Sequence, residues 1–361
     1  MSTKKTIIHF IYDLGRGGAE TMLVEVVKEL KEYRNIIVTH TNKNHFGPEL
    51  QCDQLICLNQ ETVFDVPRTV FKLRRIIKKE RPSFVHSHLP WPTMIARIAV
   101  PQKIPLITTI HNSVATSRDY KRWYVRFLDK LTYSWRKSTI IAVSQVSYND
   151  YFSILKLKSY KSYVLHTFVN INRFQRCSKP KEARSKFRVV AVGSLSFQKN
   201  FSYLVDAFSQ LNKTEIELHI YGKGDQQQKL QQKINETGAN VILKGQVNNI
   251  QEIIEDYNLF VMSSLFEGFS LSVLEAMAMK VPLLLSDIRS FREQCKDCAV
   301  YFDLDNVDDF IKKLNCLIED KNMRYLNAEE GYKRVIDNFT FEHHIAGLRK
   351  IYSEVLKEIS D

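Results

Sequence analysis

A chain of 361 residues, 44% hydrophobic and 25% charged with only 12 Gly and 9 Pro, has apolar material for two cores and excludes a disordered or fibrous protein. No apolar run approaches the ~20 residues of a membrane-spanning helix, and Met1–Leu14 lacks a small-residue cleavage site, so the N-terminus reads as a first strand of a cytoplasmic chain. The net charge of +12 is uneven: residues 1–180 hold 29 Lys and Arg against 13 Asp and Glu, the remainder 23 against 27, which suits either an anionic partner of the first half or plain solubility.

Thr6–Tyr12 reads as a buried strand, Asp13–Gly18 as a glycine loop and Ala19–Leu30 as an amphipathic helix. Strand patterns follow at Asn35–Thr39, Ser83–His86, Leu106–Ile110 and Thr139–Val143, with helical stretches at Thr69–Lys79 and Tyr120–Lys137. The basic, polar segment Arg173–Arg188, interrupted by Pro180, reads as a linker. The alternation then restarts. Strands are expected at Val189–Val192, Glu217–Tyr221, Val241–Leu243, Leu259–Ser263 and Pro282–Leu285; helices at Ser202–Leu211, Gln226–Glu236, Leu271–Met279, Val307–Ile318 and Thr340–Ile359. Two α/β units result, and open parallel sheets bind ligands beyond the carboxyl ends of their strands.

The six cysteines include one Cys-x-x-Cys, Cys295 and Cys298, but no second ligand pair of the kind a structural zinc requires, so plain thiols are expected. His86 and His88 form a His-x-His at a strand end without a carboxylate or thiol cluster, and read as structural. The sharpest segment is Ser263–Asp287, SSLFEGFSLSVLEAMAMKVPLLLSD. A strand ends, Glu267 occupies the next loop, and Gly268, Phe269, Ser270 and Leu271 lead into a helix carrying Glu275. Backbone amides at such a helix start favour a phosphate, and the two carboxylates can accept hydrogen bonds from sugar and ribose hydroxyls. The competing reading makes Glu267 a helix cap and Glu275 a solvated residue; the apolar run around Glu275 argues for function.

This segment resembles the donor-site signature of glycosyltransferase family 4, with its Glu-x7-Glu spacing. The resemblance extends in order through GRGGAE (15–20), FVHSHLPW (84–91), TTIH (108–111), VGSLSFQKNFSYLVDAF (192–208), LHIYGKGD (218–225) and VILKGQV (241–247). It implies an α/β chain of the GT-B fold: two Rossmann-like, doubly wound domains facing a central cleft. Residues 1–175 would form the acceptor domain, 186–338 the nucleotide-sugar domain, and 339–361 a helix packing back toward the first. It implies a retaining hexosyltransferase, without metal or other cofactor, in which a saccharide attacks the face from which the diphosphate leaves. Residue by residue, Lys199 matches the lysine that contacts the diphosphate and Gly17 and Gly18 the glycine loop near it. Glu267 and His111 match the catalytic positions facing the transferred sugar, and Glu275 the ribose carboxylate. On their own residues, Gly17–Gly18 is equally a simple strand–helix turn, Lys199 an exposed lysine and His111 a strand-end histidine. Three positions depart from the pattern: Ser194 stands where many members carry arginine, Lys280 where glycine is usual, and Asn170 at an acidic position.

In Tyr120–Lys137, the residues Tyr120, Trp123, Tyr124, Phe127, Leu128, Leu131 and Trp135 recur at helical spacing among Lys and Arg, Arg136 included. Such a helix, with the basic stretch 68–81, suits an anionic membrane surface or simply covers a sheet. The expected partners are a nucleotide sugar, most commonly UDP-linked, a saccharide or lipid-linked saccharide acceptor, and the inner membrane face. The alternatives are a nucleotide-sugar epimerase, a catalytically silent partner subunit, and a nucleic-acid-binding protein; the last lacks any recognisable binding motif or stacking platform.

Overall fold

The computed structural model describes residues 4–60, 62–115, 117, 119–174, 186–211, 215–247 and 249–358. Most of the expected linker, with Cys177, lies outside the described residues. The chain forms two compact units, residues 1–167 with 344–361 and residues 168–343.

In the first unit, β1 (Thr6–Ile11), β2 (Arg34–Thr39), β3 (Gln54–Cys57), β4 (Phe84–His88), β5 (Leu106–Ile110), β6 (Thr139–Ala142) and β7 (Lys161–Val164) pair in parallel, in the order β3-β2-β1-β4-β5-β6-β7. The helices α1 (Gly18–Glu29), α2 (Val66–Glu80), α3 (Pro90–Ala99), α4 (Trp123–Trp135) and α5 (Gln145–Ile154) cross between strands. Because side chains alternate along a strand, β1 and β2 feed two cores. Ile8, Phe10, Ile36 and Val38 pack with Leu73 and Ile77 of α2 and Ile95 of α3. Ile11 and Ile37 pack with Leu23, Val24 and Val27 of α1. Both faces are covered, which is why these strands read as continuous apolar runs and not as alternating ones.

The second unit repeats the scheme. Its strands are β8 (Phe187–Val192), β9 (Ile216–Tyr221), β10 (Val241–Gly245), β11 (Leu259–Met262), β12 (Leu283–Ser286) and β13 (Val300–Phe302), in the parallel order β10-β9-β8-β11-β12-β13. Its helices are α6 (Phe201–Ser209), α7 (Gln227–Thr237), α8 (Ile250–Ile254), α9 (Leu271–Ala278), α10 (Arg289–Cys295), α11 (Val307–Glu319) and α12 (Lys321–Asn338). In each sheet the strand order reverses direction beside the first strand, between β1 and β4 and between β8 and β11; such a reversal opens a crevice at the strands' carboxyl ends. The final helix, α13 (Phe341–Lys357), returns to the first unit. There its Tyr352 is fully buried, shares a 2.7 Å hydrogen bond with His86 Nδ1 of β4 and packs on Phe84.

The aromatic, basic helix is α4, and it has two faces. Val125, Asp129, Thr132 and Tyr133 turn inward. Trp123, Phe127, Leu131 and Trp135, four residues apart, are 76, 56, 52 and 62% exposed. Tyr120, which shares the helical spacing of these aromatic residues, and Arg136, expected among the basic residues of the other faces, are both buried. Arg136 donates to the Gln102 side chain and to the Ile104 carbonyl at 2.5 Å.

Beneath α4 lies an ion pair between Arg97 of α3 and Asp129, both essentially inaccessible. Arg97 also donates to Tyr151 Oη at 2.9 Å, while the hydroxyls of Tyr120 and Tyr151 donate to Asp129. Three helices thus share one charged knot, and removing one member leaves the other charged and unpaired in a dry interior. Asp129→Ala should cost ~3–5 kcal/mol, read as a lower urea midpoint. Replacing the pair together with Arg97→Met and Asp129→Leu should recover most of that loss.

Candidate active site

At the carboxyl end of the second sheet, the loop after β8 meets the loop after β11. Ser263 Oγ bonds the Lys199 and Asn200 carbonyls at 3.0 and 2.9 Å, and the Leu265 amide donates to the Gln198 carbonyl at 2.9 Å. Across this seam Lys199 Nζ meets Glu267 Oε1 at 2.6 Å. Ser264 Oγ donates to the same carboxylate oxygen at 2.7 Å, and Gln198 Nε2 to the other at 3.1 Å. Glu267 is buried, so three donors, one charged, offset the loss of its hydration. Gly193 permits this arrangement: a Cβ there would stand 3.0 Å from Lys199 Cε and 3.3 Å from Cδ, displacing the stem that delivers the ammonium. Gly222, at φ +155, lies so close to Gly193 that a Cβ would overlap the Gly193 carbonyl. The turns after β8 and β9 therefore approach only as glycines.

Glu267 does not cap the following helix. The start of α9 is held instead by Gln294 of α10, fully buried, whose Oε1 accepts from the Ser270 amide at 3.0 Å and whose Nε2 donates to the Ser270 carbonyl at 2.8 Å. Phe269 packs against Phe339 with ring centroids 5.1 Å apart. With the Ser270 amide engaged, the amides of Leu271 and the next residues of α9 form the anion-facing end of that helix. Glu275, one turn in, is partly buried, and its carboxyl is pushed up to about 7 by burial, moderated by the charge of Arg173. It therefore changes protonation near neutrality.

The other sequence-expected residues lie in the first unit. Gly17 precedes α1 and Gly18 begins it, while the side chain of Glu20 folds back over Gly17. Burial, with a contribution from Asp13, raises the Glu20 carboxyl to about 7. His111 follows β5, and its Nε2 lies 3.3 Å from His88 Nδ1. Burial lowers His9 and His344 to about 4, His111 to about 3, and His86 and His88 well below the usual imidazole range; all five are neutral at pH 7. Ring nitrogens of His9, His86 and His88 lie within 4.8 Å of one another, a spacing compatible with a metal ion. Yet both nitrogens of His86 already meet hydroxyls at 2.7 Å, from Tyr352 and Thr109, and among the described residues no carboxylate or thiol joins the trio. His86 is thus fully hydrogen-bonded, whereas His9 Nδ1 and His88 Nε2 are buried without a partner.

Sequence reasoning placed Lys199, Glu267 and the α9 turn together, but as separate contacts; the structure makes Lys199 and Glu267 one ion-paired unit. It missed Gln198, Ser264 and Gln294, polar residues whose spacing carries no signal because their roles arise only when distant loops meet.

Residues 16–173 match the family profile described as Glycosyltransferase Family 4, and residues 174–334 that of Glycosyl transferases group 1. The chain is 23% identical over 91% of its length to N-acetylgalactosamine-N,N'-diacetylbacillosaminyl-diphospho-undecaprenol 4-alpha-N-acetylgalactosaminyltransferase of Campylobacter jejuni, covering 94% of that enzyme. It is 32% identical to the GtfA subunit of a Streptococcus gordonii UDP-N-acetylglucosamine–peptide N-acetylglucosaminyltransferase, over 34% of this chain and only 24% of that protein. Its fold superposes on Anabaena HepE in complex with UDP-glucose with a TM-score of 0.87, at 16% identity, covering 97% of this chain and 99% of that one. With two parallel, helix-covered sheets of the GT-B type and both halves matched in order, the chain belongs to the family 4, group 1 glycosyltransferases.

Proposed function

We propose that this glycosyltransferase moves a hexosyl unit, with retention, from a UDP-sugar to a saccharide carried on a lipid diphosphate, in the assembly of a polysaccharide or related glycan. The Lys199–Glu267 pair beside the start of α9 carries this reading. It supplies a fixed cation and a run of backbone amides for a leaving diphosphate, with a carboxylate one turn along the helix for a ribose. Lys199 has three ammonium hydrogens, of which Glu267 takes one, so oxygens of the diphosphate can be met without breaking the pair. Such a site positions the donor and stabilises developing charge; it needs neither a metal nor an enzyme nucleophile when the acceptor attacks the face the diphosphate leaves. His111, neutral by burial, would hydrogen-bond a sugar hydroxyl and not add charge. The lipid-linked acceptor finds support in the name of the Campylobacter relative and in α4, whose exposed aromatic stripe is flanked by Lys121, Arg122, Arg126, Lys130 and Lys137. No helix among the described residues is long and apolar enough to cross a membrane, so contact would be peripheral.

In a thermal-shift screen of nucleoside diphosphates, UDP should stabilise the protein most, by ~2.7 kcal/mol at a hundredfold excess over Kd. No response to any of them would remove the donor site. Lys199→Ala should weaken UDP binding roughly 10- to 100-fold, the worth of a charged hydrogen bond. Because a protonated carboxyl accepts poorly, UDP affinity should rise from pH 6 to pH 8 as Glu275 ionises through about 7. Glu275→Gln should flatten that slope to the part contributed by UDP's own terminal phosphate, which ionises near pH ~6, and calorimetry at both pH values reads it; a slope unchanged by the substitution counts against the ribose role. The protein should pellet with phosphatidylglycerol vesicles at low salt, and a Trp123→Ala, Trp135→Ala double variant should pellet less. Sedimentation indifferent to salt would reject the membrane contact.

A further inference from the structure

One face of the first sheet carries a row of buried imidazoles. Side chains two apart on a strand share a face, and neighbouring strands continue it. His9 of β1 pairs in register with His86 of β4, and His88, two residues on, pairs with Thr109 of β5, two residues before His111. His9, His86, His88 and His111 line one small cavity of about 30 Å³ together with residues of α1 and α13. Asn35 of β2 ends the row beside His9. The middle of the row is fixed, because His86 is bonded at both nitrogens, and the His88 ring centre lies 4.2 Å from that of His86. His88 in turn reaches His111, with Nδ1 of the first 3.3 Å from Nε2 of the second. Nε2 of His111 is thereby engaged, and Nδ1 is the nitrogen left to meet a ligand.

Where the hydrogens sit follows from the other end of the row. The Asn35 amide nitrogen donates to the Leu30 carbonyl at 2.8 Å, so the amide oxygen faces His9 Nε2, 3.2 Å away. That oxygen can only accept, so His9 carries its hydrogen on Nε2, and its Nδ1 is a bare lone pair. Burial keeps His9, His88 and His111 neutral, so a single hydrogen lies between His88 and His111. Among the described residues neither His9 Nδ1 nor His88 Nε2 has a hydrogen-bond partner, and both rings line the same cavity. With the shared hydrogen on His88, its Nε2 would be a second bare lone pair there, two acceptors without a donor. With the hydrogen on His111, His88 is protonated at Nε2, and a donor stands beside an acceptor. A cavity of this size admits a water that takes the one bond and gives the other. Unmatched polar groups are costly in a dry interior, which favours the second arrangement. We infer that His88 is a positioning residue: it holds His111 as its Nε2–H tautomer, so that Nδ1 meets the transferred sugar as an acceptor, opposite a hydroxyl that donates. The inference deepens the reading of His111 given above and rests on it.

The full chain with isotope-labelled histidines tests this without any ligand, since long-range proton–nitrogen NMR reads which ring nitrogen carries the hydrogen. His111, assigned through His111→Ala, should appear as a single Nε2–H tautomer, and so should His88. In His88→Phe, His111 should become a mixture of both tautomers. In His88→Asn, whose side-chain oxygen still accepts, it should stay Nε2–H. Activity is followed separately, as release of UDP from UDP-glucose, UDP-galactose, UDP-N-acetylglucosamine and UDP-N-acetylgalactosamine. On the donor turned over fastest, His88→Phe should lower kcat roughly five- to tenfold with UDP affinity unchanged, the weight of one neutral hydrogen bond. His88→Asn should recover most of that loss. An Nδ1–H tautomer of His111 in the wild type overturns the inference. So does an unaltered His111 tautomer in His88→Phe, or a loss in His88→Asn as deep as in His88→Phe. If His88→Phe does not fold, the wild-type tautomer and the His111 tautomer of His88→Asn decide. If the tautomers are as stated and no UDP-sugar is bound or turned over, His88 still positions His111 and the donor reading falls.

Discussion

The contact between Lys199 and Glu267 holds the second unit's site in place. A buried carboxylate is tolerable only when its lone pairs are filled, and here the donors come from both sides of a seam: Lys199 and Gln198 from the loop after β8, Ser264 from the loop after β11. The charge pair therefore does mechanical work, since neither loop can shift without stranding a charge. It also fixes an ammonium before any ligand arrives, and a cation that needs no reorientation stabilises developing negative charge more effectively than a mobile surface lysine. Gln294 extends the same logic one element further. By binding both polar groups of the Ser270 backbone it sets the direction of the α9 amides, and its own carbonyl is held by Arg334 at 2.7 Å.

The first unit solves the opposite problem. Its interior gathers histidines, yet burial keeps them uncharged, so the pronounced positive charge of residues 1–180 does not belong to the inside of the sheet. Its densest run is on α2, with six Lys and Arg, and further Lys and Arg lie on and beside α4 near exposed aromatic residues. Inside, Tyr352 and Thr109 satisfy both nitrogens of His86 and Asn35 one of His9, while His9 Nδ1 and His88 Nε2 are buried without a hydrogen bond. A basic exterior thus surrounds an interior of neutral imidazoles, so net charge describes the surface of this unit and not its core.

Much of this was legible in the sequence because central strands of a parallel sheet, buried on both faces, appear as mostly apolar runs; β1, β5, β8 and β11 were readable that way, while β9 alternates, with Glu217 and His219 among its apolar residues. The strands that escaped notice, β3, β7 and β13, are all at sheet edges and three or four residues long, and β7 is only partly buried along its whole length. The helices that escaped, α3 and α5 among them, carry mixed or short patterns: α3 is buried nearly all round, so it shows little polar face for periodicity to reveal. In the candidate site, Glu267 and Glu275 stood out by their loop and helix positions, whereas Lys199 was picked out only by the family resemblance. Gln294 was legible in neither way, because a single Gln means nothing until tertiary contacts show what it bonds.

Two departures from the family pattern differ in physical weight. Lys280 sits at φ +54 just beyond α9, which explains why glycine is usual there: the helix ends in a left-handed residue. The strain of placing lysine there, ~1–2 kcal/mol, has a visible offset. Lys280 Nζ meets Glu329 of α12 at 2.7 Å and lies 4.7 Å from the Tyr332 ring centre, so the side chain that costs backbone energy also ties α9 to α12. Ser194 has no such compensation in kind. Its hydroxyl shares a 3.1 Å hydrogen bond with Ser196, which orders the loop but supplies no charge where many members carry arginine. In this chain the fixed cation at the seam is Lys199 alone among the residues matched to the family's diphosphate contacts. The glycine beneath its stem and the donors around its partner carboxylate therefore bear directly on how firmly that ammonium is fixed.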